Sequence, residues 1–411
     1  MKQTQYWLPV ALALLLVGWG ANQFASMLAF YQQTFGFTQI EVTSMLGIYV
    51  GGLIPALLLG GQISDRLGRK GTSLAALAIT VIASVAMIFG SQFAFLLYLG
   101  RFLAGVATGA AMAAATAWVK ELSQGQWDPH ATAGVGARRA SLFSTAGFWL
   151  GPVASGLIAN FAPWPEVVPY LVHILLCIPL FFLVAKVPGL HEHATSAQQS
   201  LREVPAYVSP EAQQRFRRVV APGAFWVFGA GTIGFAVVPS LFSNLGDTAL
   251  LYSTSAVALT LGFGVAVQPL ARKLDSLHSA RASIVALSMS LLGLLVAWGT
   301  ALGQWPWAGL LACCLLGAGY GLMLVAGLLE TQRLSSPQRL GAATGKFYTL
   351  AYGAYLAPTI LAFLTLWFPL MSLLVVVILM AILCIALILL NSRHGLDAVA
   401  AVNPVVRDNR S

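Results

Sequence analysis

The chain has 411 residues, 58% of them hydrophobic and 9% charged, with a mean hydropathy of +0.81 and a formal net charge of +9. A soluble globular chain carries about 25% charge, so this composition excludes a water-soluble domain and places the chain in lipid. The basic excess is no nucleic-acid surface, because its distribution follows a membrane.

A transmembrane helix needs about 20 predominantly apolar residues. Runs of that length cover 7–31, 41–62, 71–90, 93–119, 139–160, 167–186, 219–241, 249–270, 282–302, 306–329, 342–365 and 369–391. Continuous apolarity does not fit the alternating strands, about 10 residues long, of an outer-membrane barrel. The expected fold class is therefore all-α, with 12 transmembrane helices, numbered here as spans 1 to 12. The first run is too long for the apolar core of a secretory signal, and no small-residue cleavage site follows it.

All Lys and Arg except Arg101 and Lys346 fall in alternate loops, from Lys2 through Arg66, Arg69 and Lys70 to Arg393, Arg407 and Arg410. The opposite loops hold Glu41, Glu166 and Asp247 and no basic residue. The positive-inside rule then predicts cytoplasmic termini in a multi-pass protein of the inner or plasma membrane. The four cysteines, Cys177, Cys313, Cys314 and Cys384, sit within spans without metal-ligand spacing and read as small packing residues.

A polar stretch over 187–218 divides the chain into a six-helix bundle at 1–186 and another at 219–391, followed by a cytoplasmic tail at 392–411. Three matches support duplication. GGQISDRLGRK lies on FGVAVQPLARK, GVATG (105–109) on GAGYG (317–321), and GFWLGP (147–152) on GAYLAP (353–358), at offsets of 203, 212 and 206. Two pseudo-symmetric bundles related by an axis along the membrane normal leave a cleft, and rocking one half against the other would expose it to each side in turn. GAATGKF at 341–347 lacks Walker spacing. With no ATP site or other cofactor motif, transport would run on a gradient.

These features resemble the major facilitator superfamily over essentially the whole chain. Gly61, Asp65, Arg66, Gly68, Arg69 and Lys70 match the family's motif between its second and third helices, G-x-x-x-D-R-x-G-R-K. Arg101, Gly105 and Gly109 match the fourth-helix pattern R-x-x-x-G-x-x-x-G. Gly147, Gly151, Pro152 and Gly156 match the fifth-helix pattern G-x-x-x-G-P-x-x-G-G, with Ser155 in place of one glycine. The last pattern is similar to that of drug/proton antiporters and implies efflux. The first implies a gating latch, in which Asp65 meets Arg66, Arg69 or a helix N-terminus and Gly68 permits the turn.

Arg101 lies deep in span 4, where a charge costs about 2.5–3.5 kcal/mol and faces the protein interior. It either contacts an anionic substrate or a proton relay, or it bonds carbonyls of span 1. Small residues at Gly147, Gly151 and Gly156 let helices approach closely, and Pro152 permits a kink. Lys346 either snorkels to the interface or faces the cleft with Tyr348, Tyr352 and Tyr355, whose spacing equally fits packing. Trp19, Asn22 and Gln23 lie at mid-depth in span 1, where unpaired polar groups are costly, so they face the cleft or another helix. Thr232 and Tyr320 are weaker cleft candidates. His173 reads as a structural histidine, and His191 and His193 make a weak metal pair. No acid lies deep in a span, which leaves Asp65 and Glu41 as proton carriers by default.

The function expected is secondary transport of a small organic solute, as proton-coupled efflux by alternating access from a monomer. Uptake or exchange of a small anionic metabolite is the alternative. An intramembrane enzyme or sensor is remote, since there is no HExxH and no paired-carboxylate site. The second half keeps the basic pair, Arg272 and Lys273, but has Gln268, Pro269 and Ala271 where the first has Asp65, Arg66 and Gly68. An asymmetric latch follows: Asp65→Asn should impair transport without affecting membrane insertion, and Gln268→Ala should do little. Equal loss in both variants, measured against membrane-inserted protein, would sink it.

Overall fold

The computed structural model describes residues 5–129, 131–132, 134–189, 207, 209–242, 245–335 and 340–394, without the side chains of residues 65, 126, 341 and 342. Among these residues 12 helices are long and apolar enough to cross a membrane. They are Trp7–Phe35, Gln39–Ser64, Arg66–Ser91, Ala94–Glu121, Val135–Phe161, Val168–Ala185, Pro210–Val237, Gly246–Leu274, Arg281–Leu302, Pro306–Leu334, Ala343–Leu364 and Leu370–Asn391. Hydrocarbon offers a backbone N–H or C=O no water, so a helix, which satisfies both internally, is the form such runs take.

Two boundaries depart from expectation. Spans 2 and 3 are not separated by a loop. Helix runs from Gln39 to Ile88 and is non-helical only at Gly68, with φ 78° and ψ 156°. That conformation is essentially closed to residues with a Cβ, so the charged motif is two helix ends meeting at one glycine. Span 7 begins at Pro210, not 219. Ser209 accepts from the Ala212 N–H at 3.1 Å, and Pro210 sits in the first turn, where its missing N–H costs nothing. The linker expected over 187–218 therefore ends earlier. Arg215, Arg217 and Arg218, read as loop residues, lie in helix. Their charge hid this extra turn from a reading based on apolar runs. His191, His193 and most of that linker lie outside the described residues.

The chain forms two compact units, Met1–Ala194 with Asp247–Ala258, and Thr195–Gly246 with Leu259–Ser411. The opening of span 8 thus groups with the first unit rather than with its own half.

Within each unit the glycine repeats do the same job. In the first, a Cβ on Gly105 would fall on the Tyr49 carbonyl, and one on Gly109 would lie 2.6 Å from the Leu53 carbonyl. Steps of four on span 4 therefore match steps of four on span 2. In the second, Gly317 meets the Thr260 carbonyl and Gly321 the Gly264 carbonyl. The sequence match GVATG to GAGYG is a match of backbone-to-backbone contact.

Phe93, Phe95, Phe161, Trp164, Trp305, Trp307, Trp367 and Phe368 are exposed. They border the turns after spans 3, 5, 9 and 11, which carry no Lys or Arg. Aromatic rings favour both membrane–water interfaces, and these eight lie at span ends that carry no basic residue.

The contact stripe yields a test. Gly105→Ala should cost about 1–3 kcal/mol by overpacking, lowering the melting temperature in detergent. Gly51→Ala, with nothing within 4 Å of its added carbon, should leave that temperature unchanged.

Candidate functional site

Span 1 is broken at mid-depth. It is α-helical over Trp7–Asn22, tightens to a 3-10 turn over Gln23–Met27, and resumes over Leu28–Phe35. Such a turn interrupts the i→i−4 ladder, and its carbonyls need other donors. Arg101 supplies one to a carbonyl just before the turn. Its Nη1 donates to the Ala21 carbonyl at 2.6 Å and its Nε to the Met45 carbonyl of span 2 at 3.2 Å. The guanidinium also lies over the rings of Phe24 and Tyr49, at 5.1 and 4.7 Å, and Arg101 is 2% exposed. Of the two roles open from sequence, the geometry shows carbonyl bonding, to spans 1 and 2.

Span 5 packs on the same stretch. A Cβ on Gly147 would meet the Leu15 carbonyl, and one on Gly151 the backbone of Trp19. Pro152 has no N–H to give the Phe148 carbonyl four residues earlier. Asn22 Nδ2 donates to that carbonyl at 3.1 Å. Ser26 in turn donates to the Pro152 carbonyl at 2.7 Å. Asn22, a substrate candidate from sequence, is thus tied to the Pro152 turn of span 5. Gly156 faces the Thr254 side chain.

Gln23 heads a buried chain that the sequence did not reveal. Its Nε2 donates to Ser84 Oγ at 3.0 Å, Ser84 lies 2.8 Å from His173 Nδ1, and His173 Nε2 lies 2.9 Å from the Leu16 carbonyl. A carbonyl only accepts, so Nε2 carries the proton, and in the neutral ring Ser84 donates to Nδ1. The chain joins spans 1, 3 and 6. Gln23 Oε1, Trp19 Nε1 and Thr80 Oγ1 are buried without partners among the described residues.

The second unit repeats the break with other chemistry. Span 7 contains a π-turn at Ile233–Val237. Cys313, 212 residues after Arg101, donates its thiol to the Gly234 carbonyl at 3.3 Å. Thr232 is buried and bonds back to the Phe228 carbonyl at 2.8 Å. Tyr320 and Tyr352 lie against Phe228, which stacks on Tyr352 with centroids 4.3 Å apart, and Tyr348 lies next to Tyr352. Lys346 is exposed, with its Nζ 5.3 Å from the Tyr207 ring centroid.

The basic ends carry ion pairs. Arg69 Nε meets Glu121 Oε1 at 2.5 Å, joining the Gly68 junction to the end of span 4. Arg139 meets Asp128 at 2.7 Å. Arg66 is exposed, Gly61 has open space around it, and the Asp65 side chain lies outside the described residues. Glu41 closes a capping box at the start of span 2, its Oε2 accepting from the Thr38 N–H at 2.8 Å. In the second unit Asp275 pairs with Arg333, and Glu330 with Arg215 and Arg333. Arg333 stands 212 residues after Glu121, so the pair is repeated with its charges exchanged. Both units thus carry an ion pair at these span ends, formed by residues other than Asp65. Opposite signs attract whichever helix carries which.

The model of the Major Facilitator Superfamily matches residues 10–358. Facilitated trehalose transporter Tret1 of Culex quinquefasciatus is 28% identical over 223 residues, covering 50% of this chain and 40% of that protein. Multidrug resistance protein MdtL of Klebsiella pneumoniae is 32% identical over 91 residues, 22% of each. The alignments therefore span less than half the length of these relatives. The crystal structure of a D-xylose-proton symporter superposes with TM-score 0.70 at 18% identity, covering 93% of this chain and 96% of that one. A POT family transporter in complex with 5-aminolevulinic acid superposes with TM-score 0.73 at 12% identity, covering 94% and 96%. At such identities the likeness is one of fold. The trehalose, D-xylose and POT proteins are transporters by name.

The buried ion pair gives a second test. Arg215 and Glu330 side chains are 1% and 8% exposed, and removing one partner strands the other. Arg215→Met should cost about 3–5 kcal/mol, seen as a large loss of thermal stability. Arg69→Met, at a pair about one-fifth exposed, should cost at most about 1 kcal/mol. Equal losses would contradict the difference in burial.

Proposed function

Because the chain belongs to the Major Facilitator Superfamily, we propose that it is a secondary transporter that moves a small organic solute across a cell membrane by alternating access. What supports the reading is the broken first span of each half. Irregular backbone at membrane depth is tolerated where it is buried in protein or lines a cavity, and solute sites in such transporters are built on discontinuous helices. Here the breaks at Gln23–Met27 and Ile233–Val237 recur at an offset of 210, each closed by a donor from the fourth span of its half.

The proposed driving force is the solute's own gradient. The acidic residues of the first unit stand at span ends, and Glu41 is engaged in its helix cap. A sugar-like solute fits the similarity to trehalose transporters over half the chain. The second reading is proton-coupled efflux, carried by the span 5 pattern and the similarity to MdtL. An anionic solute loses its main support, because the mapped Arg101 donors are on carbonyls. Both termini are proposed to be cytoplasmic, on the charge asymmetry.

Proteoliposomes holding the purified protein separate the readings. Saturable entry of radiolabelled trehalose or D-xylose that survives a protonophore is the expected result. Extrusion of a loaded dye that stops with the protonophore would favour antiport instead. Leakage no faster than from empty liposomes for every solute tried would remove the transport reading.

A further inference from the structure

The second unit contains a recognition surface of one chemistry. Phe228 on span 7 is the centre of an aromatic stack, with Tyr352 at 4.3 Å, Tyr355 at 5.2 Å and Tyr320 at 5.9 Å between centroids. Tyr348 continues it, 6.0 Å from Tyr352 with planes 28° apart. The rings come from three separate spans, 7, 10 and 11, so they converge on one place rather than forming a stripe on one helix. Glycine makes the room. A Cβ on Gly264 would land on the Tyr320 ring, and one on Gly231 would lie 3.8 Å from it.

The stack is not sealed core. Phe228, Tyr320 and Tyr348 are half-buried, whereas Tyr352 and Tyr355 behind them are buried. The Tyr320 and Tyr348 side chains each end in a phenol hydroxyl. Neither has a hydrogen-bond partner among the described residues, and neither is among the buried orphaned atoms. Two accessible phenols, each able to donate and accept, therefore border half-open ring faces.

Charge is sparse in this setting: on span 11 Lys346, two residues before Tyr348, is the one charged residue. The sequence places no Asp, Glu, Lys or Arg between 219 and 246, between 249 and 271, or between 282 and 329. The charges of this unit's spans lie toward their ends, in the Arg215, Glu330, Arg333 and Asp275 network and at Lys346 over Tyr207. A charged solute brought to the stack would lose water without gaining a counter-ion, at a cost of several kcal/mol. A neutral hydroxyl matches a phenol, and a ring face matches an aromatic face.

We propose that the Phe228–Tyr320–Tyr348 surface binds an uncharged, hydroxyl-bearing ring solute, a neutral sugar rather than its acid or amine. The proposal rests on the transport reading for its place in a cycle, but binding can be measured without transport. Three probes share one pyranose ring: D-glucose, D-glucuronate and D-glucosamine, which are neutral, anionic and cationic at pH 7. Titrated against purified protein in detergent, with melting temperature as readout, glucose should stabilise the protein at concentrations at least about 100-fold below either charged sugar. Tyr348→Phe keeps the ring and should weaken glucose binding about threefold to tenfold while leaving the ligand-free melting temperature unchanged. Tyr320→Phe is the second variant should the first fail to fold, and Phe228→Leu should weaken binding further. Binding by none of the three sugars, equal binding of a charged one, or binding untouched in all variants overturns the site. Glucose binding of this pattern without flux in proteoliposomes upholds the site and removes the transport reading.

Discussion

The Arg101 guanidinium and the carbonyl of Ala21 hold the first half to its shape. A charge at that depth is costly unless its donors are met, and a broken helix has carbonyls that need donors. Each problem is the other's solution. Because the same guanidinium reaches Met45 on span 2 and lies over Phe24 and Tyr49, it joins spans 1, 2 and 4 at one point. The glycines at 105 and 109 then extend that joint along span 4. In the second half a thiol stands in the arginine's place. Cys313 is a weaker donor, and it meets the carbonyl of a π-turn in span 7. The architecture repeats the contact and changes its chemistry.

What survives duplication follows the same logic. Glycine is retained where two backbones touch, because any Cβ would strike a carbonyl. The ion pair at the span ends is retained as a pair, while its signs are free to exchange between helices, as in Arg69–Glu121 and Arg333–Asp275. Polar residues at mid-depth drift most. Asn22 answers a carbonyl freed by Pro152, and Gln23 answers a serine and a histidine. Each is matched to a neighbour in its own half, so neither half dictates the other's choice.

The two units therefore differ inside. The first is crossed by hydrogen-bonded joints between spans 1, 3, 5 and 6, with a few polar atoms left open. The second presents aromatic faces and phenols from spans 7, 10 and 11, with its charges held toward span ends. A solute meeting the second unit would be read by stacking and neutral hydrogen bonds.

Much of the fold was legible in order along the chain. The 12 spans follow from hydrocarbon thickness and backbone satisfaction, which act on any continuous apolar run. Gly68 was legible because a backbone angle can demand glycine, and the glycine repeats because close approach does. The start of span 7 at Pro210 was not, since Arg215 and its neighbours look like loop until Glu330 is seen to cover one of them. The roles of Arg101, Asn22 and His173 were open for the same reason. A buried polar side chain is defined by its partner, and the partners of these three lie 80, 126 and 157 residues away. Length, helix and topology are set by how each segment meets lipid, which is local and written in the sequence. Which polar atom answers which is set by packing between distant segments, and only the tertiary structure decides it.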